Sequence, residues 1–566
     1  MTYSSIFIAL FAFVYQCVGH TVDPEITTRL GKIIGTKMVT QNGRNINAFL
    51  GIPYAQPPIG LLRFSNPLPM TSWNGTLLAK TEPPACPQLL DNGTVIGVED
   101  CLFINVYTPK LGADTLLPTM VYIHGGAFQR GHASSTYIGP GFILDKDVVL
   151  VTLQYRLGVL GFLSTGNSAA PGNFGLKDQA LALRWVQDNI KSFGGNPGNV
   201  TLFGQSSGSV SVNFHVLSKA SRGLFHRYIA QSGVALCPWA HVNPTFSRKY
   251  AYALGQEFGC SNVTSDSLVK CLRHIDHEKL ITTTDIYSGV QKFIPMVWIP
   301  TTEPNVDGAF LTEHPLKTIL GSRMQDLPNI SGAVKNEGLI VTTKFYVDEK
   351  LYNSALSNVT EFLSFMASAV LSKNDSNSLG SNLEKYYFYD VDTSDRTQVL
   401  SVITDLISDF SFLFPQVLQL QLISQRTKSS CYFYSFEYRG TFSKTSSILH
   451  SNKNIGVTHG DDLIYLFPSS PAEYDFLNLT MSDEDKKMVN IMVDLWTNFA
   501  IHGVPKTSYH KDPDQWKPYS HNSYHLRIGS GDKATLTGQT HYHDSSMHFW
   551  AIQTLKLLIW SNSMSI

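Results

Sequence analysis

The sequence predicts an α/β fold in which a large, mostly parallel central sheet is wrapped by helices. Three observations carry that expectation. Several short runs are apolar nearly throughout, as strands covered on both faces should be. Longer segments with helical periodicity lie between them, the alternation that produces parallel strands with crossover helices. No fixed-period repeat and no Pro/Gly/Ser-rich linker interrupts the pattern.

The strand candidates are MVYIH (Met120 to His124), VVLVTLQY (Val148 to Tyr155), a run ending at Phe203, YIAQS (Tyr228 to Ser232) and CYFYSFEY (Cys431 to Tyr438). Each is bounded by turn-forming residues and rich in β-branched or aromatic side chains. Leu176, Ala180, Leu183, Val186 and Ile190 recur at spacings of three and four and share one helix face. A second helix is framed at both ends. Ser482 with Asp485 makes a capping box, Val489, Met492, Trp496 and Phe499 form the apolar stripe, and Gly503 and Pro505 stop it. The stripe aromatics, Trp496 included, read as core.

Size and charge narrow the function classes. At 566 residues the chain is long for one domain, yet large α/β enzymes keep a single elaborated sheet at this length, so residues 20–566 read as one catalytic domain. Lys plus Arg number 43 against 44 Asp plus Glu, without a long run of either sign, so neither nucleic acid nor acidic lipid is an expected partner. Residues 1–19 read as a signal peptide, with an apolar stretch from Ile6 to Val14 too short to span a bilayer. The end, SNSMSI, carries no retention signal and no lipid-anchor tail, so the expected location is outside the cell, with no membrane span.

An oxidising compartment gives the cysteines meaning. Cys17 leaves with the signal, Cys86 and Cys101 bracket one modest loop, and Cys260 and Cys271 bracket another. Those two pairs are the expected disulfides, and Cys237 and Cys431, in apolar surroundings, read as buried thiols. Sequons at Asn74, Asn92, Asn262, Asn358, Asn374 and Asn478 are expected to be glycosylated. Those at Asn199 and Asn329 lead into core strands and are expected to stay bare. No metal-ligand spacing such as H-E-x-x-H or paired C-x-x-C occurs, so neither a metal nor an organic cofactor is expected.

The chemistry enters at Gly204-Gln205-Ser206-Ser207-Gly208. G-x-S-x-G alone is a weak signal, but here a strand precedes it and a helix, SSGSVSVNFHVL, follows. That context presents a nucleophilic Ser on a strained strand-to-helix turn, with no room for side chains at the two Gly positions. An acyl transfer also needs donors aimed at the developing oxyanion. His124-Gly125-Gly126-Ala127-Phe128 follows an earlier strand, so the N–H groups of Gly125, Gly126 and Ser207 are the candidate hole. Ser requires a general base oriented by an acid, in the chain order nucleophile, acid, base. Glu337, closing a short apolar run in GAVKNEG, and His459, in the loop GVTHGDD, satisfy that order. Order alone does not single His459 out among 18 histidines.

The chain resembles the type B carboxylesterases over essentially its whole mature length. The resemblance is carried by FLGIPYAQPPIGLLRF (Phe49 to Phe64), EDCLFINVY (Glu99 to Tyr107), YIHGGAF, QYRLGVLGFL (Gln154 to Leu163), PGNFGLKDQALALRW (Pro171 to Trp185), GQSSG, QSG (Gln231 to Gly233), NEG and THGDDLIYLF (Thr458 to Phe467). It implies the α/β-hydrolase fold, and it implies Ser206 as nucleophile, Glu337 as acid and His459 as base of an ester hydrolase acting on a small-molecule ester. It further implies Ser232 as a polar partner behind the triad, Trp239 at the acyl pocket or in the core beside it, and structural ion pairs Arg63–Glu99 and Arg156–Asp178. The elbow departs from the family's usual G-E-S-A-G at Gln205 and Ser207, and the Gln variant is similar to that of juvenile hormone esterases. A backbone donor at 207 should tolerate Ser in place of Ala. The Cys86–Cys101 loop lacks the aromatic residue with which cholinesterases hold a quaternary ammonium, and Gln205 removes a negative charge, so uncharged esters are the expected substrates. The narrower alternative is juvenile hormone esterase. A non-catalytic adhesion protein of the same family is the remaining one, and the intact Ser206, Glu337 and His459 speak against it.

Overall fold

The computed structural model describes residues 22–112, 114–260, 264–288, 297–356, 359–368, 373–468, 478–510, 516–519 and 522–561. The expected signal peptide, Asn262 and Asn358 lie outside them.

The central sheet is built from β1 (Thr36–Val39), β2 (Asn45–Pro53), β3 (Phe103–Thr108), β4 (Leu117–Ile123), β5 (Val149–Leu153), β6 (Gly195–Gln205), β7 (Arg227–Gln231), β8 (Asn329–Val334), β9 (Cys431–Tyr438), β10 (His525–Gly531) and β11 (Lys533–Gln539). Among the described residues it has eleven strands, in the spatial order β11-β10-β9-β8-β7-β6-β4-β5-β3-β2-β1. From β10 across to β5 every pairing is parallel. Both flanks are antiparallel, through β10–β11 on one side and β5–β3, β3–β2 and β2–β1 on the other. Each expected strand is found, and the expected α/β-hydrolase architecture is the observed one.

Why the central strands are apolar throughout is visible in β4. Met120 and Tyr122 enter the core on one face of the sheet, and Val121 and Ile123 enter the core on the other. Helices α1 (Phe174–Asn189) and α2 (Ser207–Leu217) cover the second face. Leu176, Ala180, Leu183 and Val186 of α1 are buried there, as their spacing predicts. Beyond β8 follow α3 (Leu339–Val347), α4 (Arg396–Ser408), a π-helical turn at Asp409–Leu413, and α5 (Phe414–Ser424). The first face is covered by α6 (Asp483–His502), with Val489, Met492, Trp496 and Phe499 in its core, and α7 (Asp544–Ser561) ends the described chain. Ser482 and Asp485 form the capping box, and Gly503 ends α6 at φ 75°. The stretch Arg396–Ser424 is long and apolar enough to cross a bilayer, but most of it is buried inside the protein, where a core helix belongs.

The two ion pairs tie loops to this scaffold. Arg63 Nε donates to Glu99 at 2.7 Å, and Arg156 grips Asp178 through Nε at 2.8 Å and Nη2 at 2.6 Å. Disulfides join Cys86 to Cys101 and Cys260 to Cys271, with Cα separations of 5.0 and 5.7 Å. Cys237 and Cys431 are free and buried, and burial pushes the Cys237 thiol up to about 12, so it stays protonated at neutral pH. Asn74, Asn92 and Asn478 are exposed, and Asn374 falls in the helix Lys373–Tyr387. Asn329 is buried and donates to Cys431 Sγ, which leaves no room for a glycan.

Candidate active site

The end of β6 and the start of α2 meet at Ser206, whose backbone sits at φ 59° and ψ −128°. A non-glycine residue there carries about 1–3 kcal/mol of strain. The surroundings hold it in place. Ser206 N–H donates to the Gln231 carbonyl of neighbouring β7 at 2.8 Å, and the strand and helix approach too closely for side chains beside it. A Cβ on Gly208 would lie 2.1 Å from the Ile123 carbonyl oxygen, and one on Gly204 would lie 2.7 Å from the same atom. The Ser206 hydroxyl makes no hydrogen bond among the described residues.

Glu337 follows β8 in a tight turn that aims it back at the elbow. Its Oε1 accepts the Val334 N–H at 3.0 Å, and its Oε2 lies 2.5 Å from His459 Nδ1, with the carboxylate wholly buried. His459 comes from a loop pinned by its neighbour Asp461, which accepts from the Thr458 N–H at 3.0 Å, the Lys444 N–H at 2.8 Å and the Ser443 hydroxyl at 2.8 Å. Burial pushes the Asp461 carboxyl up to about 6. When Nδ1–H donates to Glu337 Oε2, a neutral His459 ring carries its lone pair on Nε2, which lies 3.0 Å from Gln205 Nε2. The structure therefore brings Ser206, Glu337 and His459 to one edge of the sheet from three distant segments.

The candidate oxyanion loop leaves β4 beside the elbow. The N–H groups of Gly125 and Gly126 make no loop hydrogen bond among the described residues, and that of Ser207, first in α2, has no partner within its helix. Ala127 and Phe128 both hold positive φ, at 58° and 61°. The Ser207 hydroxyl does more than tolerate its position: it accepts the Phe128 N–H at 3.2 Å and so ties the strained loop to α2. Tyr155 steadies the same loop by donating to the His124 carbonyl at 2.9 Å. Burial pushes His124 down to about 4, so that ring is neutral at physiological pH.

Ser232 is buried in β7's exit at φ 57°, and its hydroxyl has no hydrogen-bond partner among the described residues. The polar network behind His459 runs instead through Asp462, which sequence reasoning passed over. Its Oδ2 accepts from Gln231 Nε2 at 2.8 Å and the Tyr434 hydroxyl at 2.9 Å, and Gln231 Oε1 in turn accepts from Trp496 Nε1 at 3.1 Å. Trp496 is thus core and network at once. Asp462 immediately follows Asp461 in the quoted THGDDLIYLF, so a carboxylate beside the base was the available signal.

Trp239 donates its indole N–H to the Ser411 carbonyl at 2.9 Å and packs 5.5 Å from Phe412, whose ring is itself 4.9 Å from His459. A Cβ on Gly233 would lie 2.7 Å from the Ser206 carbonyl oxygen and 3.1 Å from the Trp239 ring, so Trp239 flanks the elbow. The π-helical turn supplies Ser411 and Phe412, and its first residue, Asp409, anchors it. The Tyr387 hydroxyl donates to Asp409 at 2.8 Å and itself accepts the Trp550 indole N–H at 2.8 Å. Burial pushes the Asp409 carboxyl from an ordinary 3.8 up to about 7. Between those values the folded protein keeps its proton and the unfolded chain has lost it, so this contribution to stability is complete below pH about 4 and is lost as pH rises through about 7. Asp409→Asn is expected to flatten that slope, worth on the order of a few kcal/mol across the window. Urea unfolding at pH 5 and pH 8 measures it, and equal slopes in variant and wild type would mean that Asp409 is ionised in the folded protein.

Next to the Cys86–Cys101 loop a cavity of about 200 Å³ is lined by Leu89, Asp91, Arg130, Val159 and Trp298, among others. The loop itself contributes no aromatic residue, as the sequence shows, but Trp298 brings an indole to the same cavity from far along the chain. Asp91 is paired with Arg130 at 2.9 Å.

A parallel sheet that ends a central strand in a strained serine, with a histidine and a buried carboxylate delivered from later segments, defines an α/β-hydrolase. The sequence profile of the carboxylesterase family matches residues 22–550, and the chain belongs to that family. It is 39% identical to a juvenile hormone esterase of Tribolium castaneum, with 88% of each chain aligned, and 35% identical to a carboxylic ester hydrolase of Bombus ignitus, with 97% of this chain and 98% of that one aligned. Among solved structures it is similar to juvenile hormone esterase from Manduca sexta with OTFP covalently attached. The TM-score there is 0.82 at 26% identity, over 94% of this chain and 99% of that one.

Proposed function

We propose that this chain is a secreted serine carboxylesterase that hydrolyses uncharged carboxylic esters through an acyl-enzyme on Ser206. His459 Nε2 takes the Ser206 proton as Oγ attacks the ester carbonyl, and returns it to the leaving alcohol. Water then attacks the acyl-enzyme with His459 again as base, and Glu337 keeps the imidazole in the required tautomer. The backbone N–H groups of Gly125, Gly126 and Ser207 receive the oxyanion in both steps, and Trp239 borders the acyl group. The observation that carries this reading is the 2.5 Å contact between Glu337 and a His459 whose Nε2 faces the elbow.

The preference for uncharged esters rests on charge. Gln205 is neutral, the Cys86–Cys101 loop itself offers no aromatic face, and Asp91 at the neighbouring cavity is paired with Arg130 at 2.9 Å. Export is supported by the apolar N-terminal stretch, the two disulfides and the exposed sequons. A narrower reading, juvenile hormone esterase, is favoured by Gln205 and by the likeness to the Tribolium and Manduca enzymes of that name. It requires that juvenile hormone be hydrolysed far more efficiently than generic esters.

The test is pre-steady-state hydrolysis of p-nitrophenyl acetate beside steady-state hydrolysis of acetylthiocholine. A burst of one nitrophenolate per chain is expected, with kcat/KM on the uncharged ester the higher of the two. No burst and no turnover would remove the esterase reading, and an equal or higher efficiency on the choline ester would remove the preference.

A further inference from the structure

Gln205, the elbow residue that departs from the family's usual glutamate, reaches the base. Its side chain is buried and passes against Gly125, where an added Cβ would come within 3.2 Å of Gln205 Oε1, and its Nε2 ends 3.0 Å from His459 Nε2. Chemistry decides which group donates. With His459 Nδ1–H donating to Glu337 Oε2 at 2.5 Å, Nε2 of a neutral ring can only accept. Of the two terminal atoms of Gln205, only the NH₂ can donate. The lone pair that has to receive the Ser206 proton is therefore already occupied by an amide, while the Ser206 hydroxyl has no hydrogen-bond partner among the described residues.

We propose that Gln205 is a positioning residue that caps the base: in the free enzyme its amide holds the His459 Nε2 lone pair, and Ser206 engages the base only when Gln205 lets go. The inference rests on the reading of Ser206, Glu337 and His459 as nucleophile, acid and base. Gln205 transfers no proton; once the amide withdraws, the proton moves from Ser206 Oγ to His459 Nε2 as before. A single ring lone pair aligned with one donor cannot serve a second equally well, so capped and engaged arrangements exclude each other. The glutamate usual at this position could not cap in this way, because an ionised carboxylate has no proton to donate to a neutral ring. The cap is thus a consequence of the Glu-to-Gln change, and it leaves the nucleophile uncommitted until the amide withdraws.

Removing the cap should speed acylation by about two- to tenfold, the worth of one neutral hydrogen bond. Gln205→Met keeps the length and bulk of the side chain without a donor, and Gln205→Asn keeps the donor but is one methylene too short to reach. Stopped-flow acylation by p-nitrophenyl acetate at several concentrations separates the acylation rate constant from the ester's dissociation constant. The expected result is a faster acylation step in Gln205→Met with little change in the dissociation constant, and if that variant fails to fold, Gln205→Asn answers the same question. A purely structural Gln205 would instead slow acylation and lower the unfolding midpoint together. Acylation unchanged or slower, in a protein whose Ser206→Ala variant is inactive, would overturn the cap and leave the triad standing. Full activity in Ser206→Ala would overturn the triad reading itself.

Discussion

Ser206→Ala is expected to lower kcat on uncharged esters by about a millionfold, the cost of losing the nucleophile where a triad acts as a unit. The protein should nevertheless fold as before. The Ser206 hydroxyl supports nothing around it, whereas the backbone contact that holds the strained residue, its N–H to the Gln231 carbonyl at 2.8 Å, survives the substitution. The two glycines that let β6 and α2 close on each other are untouched. What remains should be the residual catalysis of a site that still binds an ester and still offers its backbone donors, about 10³–10⁴ over water in comparable triads. Steady-state hydrolysis together with the thermal unfolding midpoint checks both halves. A kcat within tenfold of wild type would take Ser206 out of the mechanism, and a lost cooperative transition would shift its role to the fold.

The parts of the molecule that sequence reasoning reached are those where burial is symmetrical or a local rule is strict. Strands β5 and β9, β4 from Met120 and β6 from Val200 to Phe203 are buried on both faces, so their residues are apolar almost without interruption. Helix α6 announces both of its ends through Ser482, Asp485 and Gly503. The strands toward the two flanks carry no such signal. β1 is half exposed along its length, and β10 is interrupted by glycines at 529 and 531 as it pairs with partly exposed β11. The π-helical turn at Asp409–Leu413 is also silent, because an extra residue within a helical run changes the hydrogen bonding without changing the composition.

The candidate site divides in the same way. Ser206 is legible because strand, strained turn, paired glycines and helix are contiguous. Glu337 and His459 face each other across 122 residues, and neither is distinguishable from other loop carboxylates and histidines until a family pattern or a structure pairs them. At Gln205 the sequence shows that a charge is gone, but not that the amide lands on a ring 254 residues away. At Ser207 the expectation of a neutral replacement attended only to the backbone donor, and the hydroxyl turned out to hold Phe128.

Glu337→Gln is expected to lower kcat by about 10⁴-fold with little effect on ester binding, as the equivalent loss of charge does in other serine triads. The geometry says why an isosteric change should be so costly. Glu337 has two separate partners: Oε1 accepts the Val334 N–H at 3.0 Å, and Oε2 accepts from His459 Nδ1 at 2.5 Å. A glutamine has one acceptor and one donor to offer the same two neighbours. The Val334 N–H is a buried backbone donor and takes the carbonyl oxygen, since leaving it unpaired costs about 1–3 kcal/mol. The NH₂ then faces His459 Nδ1, which must turn acceptor, and the ring proton moves to Nε2. In that tautomer Nε2 cannot take the Ser206 proton. It cannot accept from Gln205 either, so the Gln205 amide should rotate to present its oxygen. Single-turnover acylation with p-nitrophenyl acetate measures the rate, and nitrogen-15 spectra of the histidine rings report which His459 nitrogen carries the proton. A loss of less than tenfold, or an Nδ1 that remains protonated in the variant, would remove Glu337 as the residue that sets the tautomer.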